Sequence, residues 1–357
     1  ATTGRLLDGV APDLADTGCT GSLRVHRWPA VGTSLPGIGS FRVAPGLVAA
    51  LSSLVRRAEV VHLHGVWTFP VAWAGILARG MHRPTVVTPH GDLQRWALQQ
   101  KRWKKAVYLR TLGRYVLGGT AVMHFVSERE REESPDWARA MPGAVVPNAV
   151  DTGWIPEPPA TQGAPVRTPV RIGIVGRLHA SKGFDIAARA VAGLTRAHPA
   201  RLVVCGDGDH RILEGLARDF ERHPGATVEH VGERDGESLG RLYASLAVLV
   251  VPSRQEAFGM SIAEALAAGV PVVAAEGLGL APWLRSQNLP TPPRDDIDRW
   301  VRELLRFCDS PAVLRRAAGA AGSVVRREWN PARIAPRMVG LYIQAAEHTR
   351  RTGAATG

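Results

Sequence analysis

Four short apolar runs punctuate the second half of the chain: VRIGIVG at 170–176, LVVCG at 202–206, LVVPS at 249–253 and VPVVAA at 270–275. A run with no polar face has nothing to show water, so it must be covered on both sides. Helical patterns separate the runs, at about 182–198, 211–222, 238–246 and 260–268. This alternation predicts βα units stacked into a parallel, doubly wound sheet. The first half repeats the scheme. VVHLH (60–64), TVVT (85–88) and AVMHFV (121–126) read as strands, with helical segments at about 69–79, 94–117 and 127–133. Ser127 and Glu130 form an S-x-x-E capping box for the last of these. Between the halves, residues 146–170 are rich in Pro and Gly and show no period, which marks a linker. The expected division is a Rossmann-like domain over 1–150, a linker at 151–169, a second Rossmann-like domain over 170–335, and a final helix, 336–357, returning to the first domain. In such α/β folds ligands bind beyond the carboxyl ends of the strands. The strand-to-helix turns are therefore where chemistry is expected.

Composition narrows the function. The chain has 357 residues, enough for two buried cores. No apolar run reaches the roughly 18–20 residues of a membrane span. The three cysteines, Cys19, Cys205 and Cys308, form no CxxC pair. That argues against a disulfide framework or a zinc site and for a reducing, cytoplasmic setting. The net charge is +12, and residues 1–150 hold most of the excess, with 18 Lys/Arg against 10 Asp/Glu. Its densest part is QQKRWKKAVYLRTLGRYVL, residues 99–117. Two readings stand: a solvated helix face over a core stripe, or a basic amphipathic helix on an anionic acceptor or an anionic membrane surface, the inner face of the plasma membrane. No helix-turn-helix, zinc-finger or RNA-binding signature accompanies the charge, so nucleic acid is not expected as a partner. Lysine occurs only at 101, 104, 105 and 182, all other cations being Arg, so Lys182 stands against a strong bias.

The stretch RQEAFGMSIAEALAAGVPVVA (254–274) concentrates the chemistry. It predicts a loop carrying Glu256, a helix beginning near Gly259–Ser261, and a left-handed stop at Gly269 before Pro271. The first turn of a helix has unpaired N–H groups and partial positive charge. Phe258, Gly259, Met260 and Ser261 thus offer an anion site, flanked by carboxylates at Glu256 and Glu264. A diphosphate with a polyhydroxylated group at each end has that outline.

EAFGMSIAE resembles the E-x7-E motif of glycosyltransferase family 4, retaining enzymes of the GT-B fold. IVGRLHASKGFD (174–185) resembles that family's donor-phosphate loop, CGDGD (205–209) its G-x-G turn, and VPNAVD (146–151) its hinge. HLHGVW (62–67) and TPHGDLQRWALQQKRWKK (88–105) resemble an N-domain signature of members that build bacterial surface polysaccharides. The resemblance covers nearly all of the chain. It implies two Rossmann-like domains facing a cleft, and a metal-independent, retaining transfer of a sugar from a nucleoside-diphosphate-sugar to a lipid-linked or saccharide acceptor. That donor is a co-substrate, and no cofactor or metal is implied. The resemblance assigns Arg177 and Lys182 to the diphosphate and puts the Gly206 turn among the substrate-binding positions. It assigns Glu256 to the donor sugar's hydroxyls, Glu264 to the ribose and His90 to the donor sugar. The candidate catalytic residues are then His90 and Glu256, and the candidate substrate-binding residues are Arg177, Lys182, Gly206, Phe258, Gly259, Met260, Ser261 and Glu264. Retaining glycosidases use a carboxylate nucleophile, but the resemblance points instead to same-face attack assisted by the leaving phosphate. His62 and His64 point to one side of a strand and are read as packing or acceptor contacts. Asp296-Ile-Asp298 opens a helical pattern and reads as capping.

Three departures from the family pattern are visible. ATTG resembles the end of the family's second strand, so the N-terminal βα unit is expected to be missing. Ala149 stands at the usual hinge Gly. The loop EGLGLAPWLRSQ (276–287) lacks an acidic residue near its end. These departures keep open a catalytically impaired nucleotide-sugar-binding remnant, and a GT-B epimerase that converts donor without acceptor.

Overall fold

The computed structural model describes residues 2–3, 27–28, 45–158 and 166–354. Its strands are β1 (Thr2–Thr3), β2 (Arg27–Trp28), β3 (Val61–His64), β4 (Thr85–Thr88), β5 (Val122–Phe125), β6 (Gly143–Val145), β7 (Val170–Val175), β8 (Ala200–Cys205), β9 (Ala226–Gly232), β10 (Val248–Val251) and β11 (Val272–Ala274). The expected loss of a first βα unit concerns residues that lie, apart from the paired strands β1 and β2, outside the described ones.

One compact unit is built on a sheet of order β3-β4-β5-β6, joined by Ser134–Ala144 and by the chain from Val339. β3, β4 and β5 run parallel, with Val61 beside Thr85 and Val86 beside Val122. β4 and β5 are buried at every position, as their unbroken apolar character requires. The helix Phe69–Gly80 covers the crossover from β3, with Pro70 in its first turn. The single helix expected at 94–117 is instead three: Arg95–Gln99, Arg102–Arg110 and Leu112–Leu117. The breaks fall at Lys101, which takes a left-handed conformation, and at Thr111, whose φ of −113° and ψ of −106° are not helical. Neither break carries a Pro or Gly, so the local sequence gives no stop signal.

The other unit comprises Val126–Glu133 and Val145–Met338 around a parallel sheet of order β11-β10-β7-β8-β9. Chain order runs outward from β7 on one side and from β10 on the other, so the direction reverses between them. That reversal is the switch point at which doubly wound sheets open a crevice. The helices Phe184–Leu194, Arg211–Glu221, Gly236–Ser245 and Met260–Ala267 follow the strands, close to the expected spans. The helix Ile297–Asp309 buries Trp300, Leu304 and Phe307 completely, one stripe at i, i+4 and i+7. Asp296 caps it, accepting from the Arg299 N–H at 2.9 Å. The sequence carries no clear signal for β9. It is an edge strand with little full burial and so lacks a continuous apolar run. No helix among the described residues is long and apolar enough to cross a membrane.

Candidate functional site

The loop after β7 begins at Gly176 and ends in a 3-10 turn, Ala180–Lys182. His179 caps that turn, its Nδ1 accepting from the Ser181 N–H at 3.2 Å. Gly183 then takes φ +74°, and a Cβ there would lie 2.2 Å from the Pro252 carbonyl oxygen. Only glycine fits that approach between the β7 and β10 loops. Arg254 fastens the same two loops. Its backbone N–H donates to Ser181 O at 2.7 Å, and its guanidinium pairs with Asp185 at 2.9 Å.

This clamp delivers Lys182 to Glu256. Lys182 Nζ and Glu256 Oε1 form an ion pair, and Ser253 Oγ donates to the same oxygen at 3.1 Å. Both side chains are mostly covered, 22% and 18% exposed. The Lys182 stem lies against Gly176, where an added Cβ would sit 3.1 Å from its Cε. Gly176 also lines a hollow of about 380 Å³ at the carboxyl ends of β7 and β8. Arg177, Gly206, Asp207 and Arg234 are among its lining residues. Gly206, at φ +139°, approaches Gly176 so closely that a Cβ would meet its carbonyl oxygen at 2.1 Å.

The helix Met260–Ala267 starts from Gly259, at φ +102°, with no side chain capping it. Met260 is exposed and Ser261 half-buried, whereas Phe258 is buried and packs on Trp329 at 5.2 Å between ring centroids. Phe258 therefore offers a ligand its backbone and not its ring. The helix ends as expected: Gly269, at φ +73°, donates to Leu266 O at 2.8 Å, and Val270 to Ala265 O at 2.9 Å. Glu264 does not share the Lys182–Glu256 cluster. Its Oε2 accepts from Tyr243 Oη at 2.8 Å. Burial pushes the Glu264 carboxyl up, and the Tyr243 hydrogen bond opposes that. Its charge reaches the Cys205 thiol, whose pKa is raised chiefly by burial. Of Arg177, Lys182, Glu256 and Glu264, only Arg177 lines the hollow itself. Lys182 and Glu256 pair with each other and are not among its lining residues, and Glu264 lies near Cys205, which is.

The first unit gathers a second cluster at its strand ends. His64 Nδ1 and His90 Nε2 lie 2.8 Å apart, with the two rings stacked at 14°. His62 meets Thr88 Oγ1 at 2.6 Å and the Tyr342 hydroxyl at 3.0 Å, and Thr88 Oγ1 lies 2.7 Å from His124 Nδ1. A 2.8 Å contact between imidazole nitrogens needs one N–H and one lone pair, so two imidazolium rings cannot share it. Desolvation, then the neighbouring histidine charges, lower His62 to about 3 and His90 to about 4. Held that low, His62 and His90 are neutral at physiological pH. His64 and His90 are exposed by area, but the bonded nitrogens face each other. His90 itself adopts φ +51°, outside the usual range for a histidine.

Two family models match the chain. One described as "Glycosyl transferase 4-like domain" covers residues 7–149, and one described as "Glycosyl transferases group 1" covers 169–310. A GDP-mannose-dependent alpha-mannosyltransferase of Mycobacterium tuberculosis is 30% identical over 93% of this chain and 85% of its own length. The chain belongs to glycosyltransferase family 4. Other curated relatives match over shorter stretches, and the chain spans only 27% and 34% of the length of two of them and half of a third. Its fold is the family's GT-B fold. Sucrose-phosphate synthase of Thermosynechococcus elongatus superposes with TM-score 0.69 over 84% of this chain and 77% of its own, at 22% identity. Anabaena HepE, in complex with UDP-glucose, superposes with TM-score 0.66 over 93% and 86%, at 18% identity.

In each unit, some residues that hold these side chains carry no motif. Tyr243 reaches Glu264 across 21 positions, and Tyr342 reaches His62 across 280. No local pattern announces such contacts. Ser253 and Arg254 were legible in principle, since both flank Glu256 at the end of an expected strand.

Proposed function

We propose that the protein is a retaining, metal-independent glycosyltransferase that moves a hexose from a nucleoside-diphosphate donor to a hydroxyl of a lipid-linked or polysaccharide acceptor. The Lys182–Glu256 pair carries this reading. It puts an ammonium and a carboxylate side by side at the switch point of the second sheet. The cation suits a phosphate and the carboxylate a sugar hydroxyl. The relatives support the donor class, since one is named for GDP-mannose and one was solved with UDP-glucose.

In this mechanism the bond between the anomeric carbon and the β-phosphate oxygen breaks as the acceptor oxygen bonds to the same carbon on the same face. The acceptor's proton passes to the departing phosphate oxygen. Negative charge grows on that phosphate, where Lys182, Arg177 and the N–H groups opening the Met260–Ala267 helix stabilise it. Fixed cations fill the role that a divalent metal plays in other transferases. Glu256 Oε1 is engaged by Lys182 and Ser253, which leaves Oε2 to accept from sugar hydroxyls. That is the work of an orienting carboxylate and not of a nucleophile. Glu264, oriented by Tyr243, accepts from the ribose. His90, neutral above about pH 4, gives the sugar a hydrogen bond without a charge. The enzyme works in the cytoplasm, held peripherally at the inner face of the plasma membrane.

Calorimetry with UDP-glucose and GDP-mannose, followed by NMR of the product's anomeric proton, tests the proposal. The expected results are binding of at least one donor, an α-linked product and turnover unchanged by a chelator. An inverted product, or activity abolished by the chelator and restored by a divalent ion, would overturn it.

A further inference from the structure

The helix Arg102–Arg110 is anomalous for a water-soluble surface. None of its nine residues is buried. Between Asp92 and Glu128 the sequence holds seven Lys/Arg and no carboxylate, so this segment has no counter-charge of its own. Lys105 is engaged internally, donating to Ala97 O at 2.6 Å and lying over the Trp67 ring. Arg110 and Arg114 take part in no ion pair among the described residues. Large apolar groups crowd the same region. Trp103 is 70% exposed, and Val107, Tyr115 and Trp137 also stand in solvent. Scattered apolar residues mean little, but a cluster rimmed by cations marks an interaction surface.

Of these apolar groups, Trp137 lines a groove of about 840 Å³. Leu109, Leu117, Trp137 and Met141 line it together with Arg110 and Arg114. It lies toward the amino end of β5, which Leu117 leads into, whereas His62, His64 and His90 sit at the carboxyl ends of β3 and β4. The groove is thus separate from the histidine cluster.

We propose that this groove takes one acyl chain of an anionic membrane phospholipid, with its phosphate between Arg110 and Arg114 and with Trp103, Val107 and Tyr115 in the interfacial layer. Charge complementarity selects the ligand: paired-off guanidinium groups would not call for an anion, and a bare apolar slot would not call for a charged headgroup. Aromatic side chains with basic neighbours have the composition that favours the membrane–water boundary. The inference deepens the acceptor reading above, because it places the enzyme where a lipid-linked acceptor resides.

The full chain is tested by co-sedimentation with vesicles of phosphatidylcholine, with and without phosphatidylglycerol, at low salt. It should partition onto the anionic vesicles only. Arg110→Gln with Arg114→Gln should weaken partition roughly 30-fold, as expected for two cations at an anionic surface. Trp137→Ala, which keeps the charge, should weaken it about tenfold by removing a wall of the groove. Millimolar inorganic phosphate should not release the wild-type protein. Equal binding to neutral vesicles, wild-type partition by either variant, or release by inorganic phosphate as from a plain anion site would each overturn the proposal. Circular dichroism and donor calorimetry on the same variants keep the outcomes distinct. Lost vesicle binding with intact donor binding concerns the groove, while lost donor binding by the wild type concerns the transferase reading.

Discussion

Replacing Lys182 by Met keeps most of the stem that covers Gly176 and removes the ammonium. In the free protein this strips Glu256 of its cation, though Ser253 still donates to Oε1. In the donor complex the loss is larger, because a diphosphate then lies near a carboxylate with no cation between them. A hydrogen bond to a charged group contributes about 1.5–3 kcal/mol, so donor affinity should fall roughly 10- to 150-fold. Part of that loss is repulsion from Glu256 and should be recoverable. Lys182→Met with Glu256→Gln removes both charges, and the pair should bind UDP or GDP more tightly than Lys182→Met alone, by about 1 kcal/mol of coupling. The bare nucleotide is the proper ligand, since it reports on phosphate contacts without the sugar hydroxyls that Glu256 would hold. Isothermal calorimetry at constant ionic strength gives the three affinities. Wild-type affinity in Lys182→Met would refute the assignment, and strictly additive losses would show that the ion pair does not face the phosphate.

Four further outcomes are expected. Gly183→Ala must place a methyl 2.2 Å from a backbone oxygen at φ +74°, so urea denaturation should show at least about 2 kcal/mol of lost stability; an unchanged midpoint would contradict the close approach. His62 is lowered to about 3 when folded, whereas the unfolded chain protonates near pH 6.5. The unfolded state therefore binds more protons below about 6.5, and stability is full above that value and falls as pH drops toward 3. Denaturation midpoints at about pH 7 and about pH 5 should diverge less in His62→Asn than in the wild type, and an identical slope would remove His62 from that linkage. Tyr243→Phe removes the hydroxyl that opposes the burial of Glu264, so the carboxyl rises further and donor binding should weaken about fivefold. A calorimetric affinity equal to wild type would show that Glu264 does not touch the donor. Trp300→Ala empties a fully buried site and should cost about 3–5 kcal/mol by denaturant titration, with a loss under about 1 kcal/mol arguing against its central place in the second core.

The sequence by itself determined the parallel sheets, the helices between their strands and the glycine turns that follow β7 and β8. These depend on short-range facts: a strand buried on both faces must be apolar throughout, and a loop passing under a backbone carbonyl must be glycine at Gly183 and Gly206. The boundaries of β4, β7 and the Met260–Ala267 helix were legible within a residue or two for that reason. Tertiary structure decided what lies beside what. Lys182 meets Glu256 only because β7 and β10 are neighbours in the sheet though remote in the chain. Thr88 links His62 to His124 only because β3, β4 and β5 stand in register, and Tyr342 reaches His62 only because the chain from Val339 joins that unit. The break at Thr111 and the strand β9 escaped prediction because neither is written in local composition. Strand neighbours are chosen by the global packing of apolar faces, and side chains far apart in the chain take their partners from that choice.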